Sequence, residues 1–406
     1  MKKTFTLLVI ALSVLQLQAQ RYKDKLFTTV LMDSVLYGNA DNWNNTPQEL
    51  MMNIFQPEGD TATRRPLLVL AHGGSFINGS RYALDVTFLC NEFAKRGYVC
   101  VSIQYRLGMD ISKFFLTPGP QFANAVWRGT LDGRAAVRYL RAHADSLGID
   151  TAQIYIGGVS AGGVLGLHEA FLDVSSEVAA ADPPIDTASI GVGIKGLSGT
   201  LGESWRVKGV ISLCGAISDV RWMNNNRDVS IFSVHGTNDQ TVPYKTDYFT
   251  AFSTKVAKLS GGFAVDSMAK VYGMKSVLYT FVGAPHVPFS PGVGTTASST
   301  AYRDTTETLL RDFLVDDLNR KVGLSEMLIA SDVKLYPNPS HNQFNITVNK
   351  GFETQITLFD MNGKVIYQTR SQNNNIIVNT EHLSSGLYFV TIQNEFGSVT
   401  QKLLKN

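Results

Sequence analysis

A serine hydroxyl becomes a useful nucleophile only where a base can take its proton and the backbone holds it clear of neighbouring side chains. Ser160 stands in such a context. Gly158-Val159-Ser160-Ala161-Gly162-Gly163 follows an apolar run at residues 153–157 and precedes a helical pattern at residues 164–171. A strand turning sharply into a helix brings the chain against itself, so the positions two before and two after the serine must be nearly free of side chain. The helix N-terminus adds oriented dipoles that favour developing negative charge. Upstream, His72-Gly73-Gly74-Ser75-Phe76 follows the apolar run 67–71. Adjacent glycines let such a loop aim its N–H groups at a carbonyl oxygen, which makes the amides of Gly74, Ser75 and Ala161 candidate oxyanion donors. His72 is expected to brace the loop rather than to transfer protons.

The base must lie within hydrogen-bond reach of Ser160 and be oriented by a carboxylate. Seven histidines compete. His341 and His382 lie in a separate C-terminal segment, His168 falls inside the helix after Ser160, His143 ends a helix, and His235 precedes Gly236 as a turn former. His286 remains, in Gly283-Ala284-Pro285-His286-Val287-Pro288, a loop that prolines keep out of regular structure just beyond the apolar run 277–282. Asp239, in the turn from His235 to Pro243, is the expected orienting acid, because it stands before the last strand and its histidine. Asp219 is its rival, with helix capping as the alternative role for either.

These loops need a scaffold. Residues 50–318 alternate short apolar runs with helical patterns, the one-dimensional form of parallel strands joined by crossover helices. Strands are expected at 67–71, 99–105, 154–157, 207–214, 231–235 and 277–282, and helices over 131–143 and 302–318. The reading is a doubly wound, mostly parallel α/β sheet. Phe76, Tyr105 and Leu107 are expected to line the site. The Ala-, Gly-, Ser- and Pro-rich stretch 172–206 reads as a cap or as a passive surface loop, and residues 109–127 as a second wall or as core packing. With 406 residues, 44% of them hydrophobic and 17% charged, the chain can bury a large core and is not disordered. Lysine and arginine total 36 against 34 acidic residues, too even for a strongly basic nucleic-acid binder. Cys90, Cys100 and Cys214 are too dispersed for a disulfide scaffold or a paired-ligand zinc site, and read as buried thiols.

Both ends differ from the middle. Lys2 and Lys3 precede an apolar run at 7–17, with Ala19 placed for cleavage, so residues 1–19 read as an export signal. After a linker at 323–332, residues 333–406 show short alternating strands separated by Asn, Gly and Ser turns, enough for a small antiparallel sandwich. The segments Leu335-Tyr336-Pro337-Asn338-Pro339, Leu358-Phe359-Asp360-Met361-Asn362-Gly363-Lys364 and Leu383-Ser384-Ser385-Gly386-Leu387-Tyr388 resemble, in that order, the C-terminal sorting domain of the type IX secretion system of Bacteroidetes. That resemblance implies passage through the periplasm to the outside or the cell surface, with the secretion machinery as a partner of residues 333–406. Its aromatic residues are expected to fill a small core rather than to bind a ligand.

Residues 20–322 resemble the α/β-hydrolase fold, in the branch of carboxylesterases, lipases and feruloyl esterases with a His-Gly-Gly loop. Val101-Ser102-Ile103-Gln104-Tyr105-Arg106-Leu107 and Asp132-Gly133-Arg134-Ala135-Ala136 add to the likeness. Ser75 departs from the usual final glycine of that loop. The resemblance implies a Ser160–His286–Asp239 triad acting on a carboxylic ester through an acyl-enzyme, with no cofactor and no metal. A lipase or polyester depolymerase, a peptidase of the same fold, and, from another class, a non-catalytic surface binding protein are the alternatives.

Overall fold

A computed structural model describes residues 21–190, 193–251, 253–290, 297–319, 333–348, 354–361, 363–373, 375–394 and 397–406. The expected export signal and the linker at 323–332 lie outside the described residues. The chain divides into two units, Met1–Arg320 and Lys321–Asn406.

The first unit contains, in chain order, β1 (Val30–Asp41), β2 (Pro47–Pro57), β3 (Arg65–Ala71), β4 (Val99–Ile103), β5 (Ile149–Val159), β6 (Gly209–Leu213), β7 (Ala216–Ile217), β8 (Ser230–Gly236), β9 (Thr246–Ala251), β10 (Thr254–Gly261) and β11 (Ser276–Phe281). Eight of these form one sheet in the order β1-β2-β4-β3-β5-β6-β8-β11. The β1–β2 and β2–β4 pairs are antiparallel. Every pairing from β4 to β11 is parallel.

Strand β3 shows why the central runs are apolar at every position. Leu67, Val69 and Ala71 join Ala135 and Leu140 of the helix Pro118–Ala142 and Leu165 of the helix Ala161–Phe171 on one face. Leu68 and Leu70 join Leu89 and Phe93 of the helix Leu84–Ala94, with Leu310 and Phe313 of the helix Ala297–Asn319, on the other. Side chains alternate along a strand, so covering both faces removes every position from water. Each fully buried aliphatic side chain then contributes about 1.5–3 kcal/mol. Because the parallel strands run together, the loops following β3, β5, β8 and β11 emerge on one side of the sheet. Those loops carry Gly74, Ser160, Asp239 and His286.

Three features depart from expectation. The helix expected over 131–143 begins at Pro118. Pro118 and Pro120 fit this start, because in a first turn a proline lacks only an N–H that would have no intrahelical partner. A separate three-stranded sheet, β7-β10-β9, joins the short β7 before β8 to β9 and β10, which fall between β8 and β11 where no strand was expected. Residues 195–206, part of the stretch read as a cap or a passive loop, are instead strapped along the long helix. Arg134, Arg138 and Arg141 lie at helical spacing on it and donate to backbone carbonyls of this stretch and its surroundings. Arg134 bonds Leu172 and Ile194. Arg138 bonds Lys195, Ser198 and Thr200. Arg141 bonds Ser204 and Arg206 and, on its other branch, Thr151 at the start of β5. Arg141 thus ties the end of the helix to the start of β5, while Ser198 and Gly199 of the strap lie against Gly38 and Tyr37 of β1.

The second unit packs a three-stranded sheet, β12 (Val333–Tyr336), β13 (Gln343–Val348) and β16 (Asn375–Asn379), and a four-stranded sheet, β14 (Thr354–Phe359), β15 (Val365–Ser371), β17 (Gly386–Asn394) and β18 (Gly397–Lys405). Both are antiparallel. The shared core is mostly aliphatic, with Ile346, Val348, Ile356, Leu358, Val390 and Leu403. Of the aromatics expected there, Phe344 and Tyr388 are buried, Tyr336 is exposed, and Phe352 and Phe396 lie outside the described residues. Met361-Asn362-Gly363, whose Asn-Gly pair is a hairpin signal, includes Asn362, also outside them. Its flanks close through Asp360 and Lys364.

Candidate active site

Ser160 ends β5 and caps the helix Ala161–Phe171. Its N–H donates to the carbonyl of Leu213 at 2.8 Å. Its backbone sits at φ 55°, ψ −112°, a conformation that costs an L-residue about 1–3 kcal/mol and persists only where its surroundings enforce it. One atom explains the flanking glycines. A Cβ at Gly158 or at Gly162 would lie 1.9 Å from the carbonyl oxygen of Ala71, at the end of β3. The elbow can approach that strand only if both positions lack side chains. Ser160 itself is 7% exposed.

The loops after β8 and β11 bring Asp239 and His286 to it. His286 Nδ1 lies 2.6 Å from Asp239 Oδ2, and His286 Nε2 lies 2.9 Å from Ser160 Oγ. Asp239 Oδ1 accepts from the N–H groups of Thr241 and Val242, both at 2.9 Å. Burial acts to raise the pKa of this carboxyl, but hydrogen bonds from His235 and His286 outweigh it and hold the group well below the usual carboxylate range. An anion at Nδ1 favours the tautomer with Nδ1–H, which leaves the Nε2 lone pair facing the Ser160 hydroxyl. Asp219, the rival acid, caps the short 3-10 helix Val220–Asn225 and pairs with Arg221.

His235 was read as a turn former, yet its Nε2 lies 3.2 Å from Asp239 Oδ2. The signal available in the sequence was its four-residue separation from Asp239 across a glycine-containing turn. His168 bonds the carbonyl of Val164 within its own helix, and its Nε2 faces the Ser218 hydroxyl at 2.9 Å. Burial pushes it down to about 4, so it stays neutral.

In the loop after β3, Gly74, Ser75 and Phe76 have φ of 115°, 53° and 60°. Ser75 thus adopts a left-handed conformation that glycine would take without cost. The carbonyl of Gly74 closes the turn by accepting from Ile77 and Asn78. Among the described residues, the N–H groups of Gly74, Ser75 and Ala161 have no protein acceptor. His72 braces the loop: its Nδ1–H donates to the carbonyl of Gly73 at 2.7 Å, and its ring stacks on Tyr105 at 4.4 Å. The Tyr105 hydroxyl donates back to the carbonyl of His72 at 2.9 Å. Burial pushes the His72 imidazole down to about 4, so it is neutral at physiological pH.

Phe76 and Tyr105, expected to line the site, are buried and support the loop from behind. Phe76 meets Tyr105 and Phe122 edge-on, and Phe122 packs on Phe249 of β9 at 4.8 Å. The wall expected from residues 109–127 therefore supplies Phe122, against a strand that was not foreseen. Leu107 packs partly buried against the same core. Among the described residues, one cluster brings metal-ligating atoms together: Cys214, Asp239 and His286, within 4.8 Å of one another. The Cys214 thiol is buried and pushed up to about 12 by that burial and by Asp239, which makes it a poor ligand at neutral pH. Among the described residues no helix is long and apolar enough to cross a membrane.

Comparison with known proteins adds two matched segments. Residues 52–188 match the BD-FAE family model, and residues 334–406 match the secretion system C-terminal sorting domain. The chain is similar to gut esterase 1 of Caenorhabditis elegans, 32% identical over 113 residues, covering 28% of this chain and 19% of that protein. It is also similar to human carboxylesterase 3, 33% identical over 135 residues, covering 32% and 22%. The chain thus spans about a fifth of the length of these curated relatives. Among solved structures, the apo form of Thermogutta terrifontis esterase 2 aligns with a TM-score of 0.48 and 22% identity, covering 70% of this chain and 94% of that one. A sorting domain of this kind directs a chain to export, outside the cell or onto its surface. Residues 52–188 therefore belong to a BD-FAE domain of the α/β-hydrolase esterase family, and residues 334–406 form a type IX secretion sorting domain.

Proposed function

We propose that the protein is an exported serine hydrolase of carboxylic esters. The observation that carries this reading is the relay from Asp239 Oδ2 to His286 Nδ1 at 2.6 Å and from His286 Nε2 to Ser160 Oγ at 2.9 Å, beside three unengaged N–H groups. Ser160 Oγ attacks the acyl carbon while His286 Nε2 takes the hydroxyl proton, and Asp239 stabilises the imidazolium that results. The carbonyl oxygen gains negative charge and accepts from the amides of Gly74, Ser75 and Ala161. One such donor is worth roughly 3–4 kcal/mol of barrier. Collapse expels the alcohol, which takes the proton from His286, and leaves an acyl-enzyme on Ser160. Water, deprotonated by His286, attacks that ester, and the acid departs as Ser160 regains its proton. The esterase names of the relatives agree with this chemistry, and no step calls for a cofactor or metal.

Residues 1–19 are the proposed export signal and residues 323–332 the linker between hydrolase and sorting domain, whose partner is the type IX machinery. The test is hydrolysis of chromogenic esters of increasing acyl length by the exported form. Serine-dependent turnover of short chains, lost in Ser160→Ala, is the expected result. A folded protein that turns over no ester but cleaves peptides would replace the reading with a peptidase. One that does neither would favour a binding protein.

A further inference from the structure

His235 ends β8 with its side chain 1% exposed, out of reach of bulk water. The N–H of Gly262, at the start of the helix Gly262–Val271, donates to His235 Nδ1 at 3.2 Å. That nitrogen therefore carries no proton, and Nε2 carries it. The Nε2–H lies between Asp239 Oδ2 at 3.2 Å and the carbonyl of Val242 at 3.1 Å. Asp239 thus accepts from two backbone amides on Oδ1 and from His286 on Oδ2, and His235 Nε2 stands 3.2 Å from that same Oδ2. The oxygen that orients His286 is the one His235 holds.

We propose that His235 is a positioning residue of the hydrolytic site: its fixed Nε2–H anchors Asp239 Oδ2 toward His286 and draws off part of the carboxylate charge. It touches neither substrate nor Ser160 and acts only through Asp239. The proposal rests on the triad reading above. The titratable groups facing the pair are few. His286 approaches from the loop after β11, and Cys214 from the end of β6, with its thiol protonated. Tyr244 stands edge-on to the His235 ring at 5.7 Å, its hydroxyl bonded to Thr280. Among the described residues, no lysine, arginine or second carboxylate pairs with either member.

The sign follows from the charge sharing. With the His235 bond removed, the Asp239 carboxylate attracts the second proton of His286 more strongly, so the catalytic imidazole becomes protonated at higher pH. The acid limb of the pH–rate profile then moves upward, and activity is lost first at mildly acidic pH.

The test uses the full chain with His235→Phe, which keeps a ring but no donor, and His235→Gln, whose amide N–H can stand where Nε2–H stood. Histidine-labelled protein is titrated by NMR, and kcat/KM on a short chromogenic ester is followed against pH. In His235→Phe the His286 titration is expected to move up by about half to one pH unit. Its kcat at about pH 6 is expected to fall about three- to tenfold with KM little changed, as the loss of unprotonated imidazole requires. His235→Gln is expected to recover most of both. Identical His286 titrations in all three proteins would overturn the proposal. Should His235→Phe fail to fold, the wild-type spectrum decides: at the pH of the ester assay the His235 nitrogens must report Nε2–H and an unprotonated Nδ1. A protonated ring, or one with Nδ1–H, overturns the proposal. Ester turnover retained in Ser160→Ala would instead sink the triad reading, whatever the titrations show.

Discussion

Arg138→Met separates a strap from a lid. The Arg138 guanidinium is buried in the first unit and donates to the carbonyls of Lys195, Ser198 and Thr200 at 2.7, 2.7 and 2.8 Å. Burial pushes its pKa down to about 10, which shows that desolvation opposes part of the gain. A hydrogen bond from a charged donor contributes about 1.5–3 kcal/mol, and three of them less the desolvation of the cation leave about 3 kcal/mol. That is more than a hundredfold in the folding equilibrium. Urea denaturation should show the loss as a lower midpoint. Turnover per folded molecule, and the preference among acyl lengths, should stay within about twofold of wild type, because among the described residues no hydrogen bond joins the strap to Ser160, Asp239 or His286. Unchanged stability would mean that the three bonds contribute nothing. A changed acyl preference would mean that residues 195–206 reach the substrate after all.

Gly162→Ala places a Cβ 1.9 Å from the carbonyl oxygen of Ala71. The elbow must shift, so thermal stability should drop by about 1–3 kcal/mol and turnover should fall with it; an active variant of wild-type stability would refute the packing explanation of the motif. Glu169 is buried in the helix that Ser160 caps, and burial lifts its pKa to about 8. A folded pKa above the unfolded one means that the native state holds the extra proton between the two values, so stability falls as pH rises toward and through about 8. Glu169→Gln should therefore gain melting temperature over wild type progressively from about pH 5 to about pH 9, and parallel curves would remove Glu169 from the explanation.

The sheet was legible where burial acts on both faces. Runs such as Leu67 to Ala71 leave no polar position, and the glycines around Ser160 announce a backbone contact that only tertiary structure identifies as Ala71. His286 and Asp239 could be selected because loops after strands must meet on one side of a parallel sheet. Other parts left weaker traces. Strand β9 is mostly exposed, with only Phe249 fully buried, so it shows neither alternation nor an apolar run. Arg134, Arg138 and Arg141 look like the polar face of a surface helix. Arg134 and Arg138 are buried and Arg141 half-buried because residues 194–206 cover them with carbonyls that need donors, a pairing invisible along the chain. His235 resembled a turn residue because its meaning lies in contacts that spacing does not reveal, the Gly262 N–H on its Nδ1 from across the fold and Asp239 Oδ2 3.2 Å from its Nε2.

The most direct test of the central claim is to trap the acyl-enzyme. The exported protein is mixed with a fluorophosphonate or a slowly hydrolysed ester, and intact mass and peptide mapping then locate the adduct. The account predicts one adduct per chain, on the peptide containing Ser160, and none in Ser160→Ala. An adduct on another residue, or equal labelling of the Ser160→Ala protein, would contradict it.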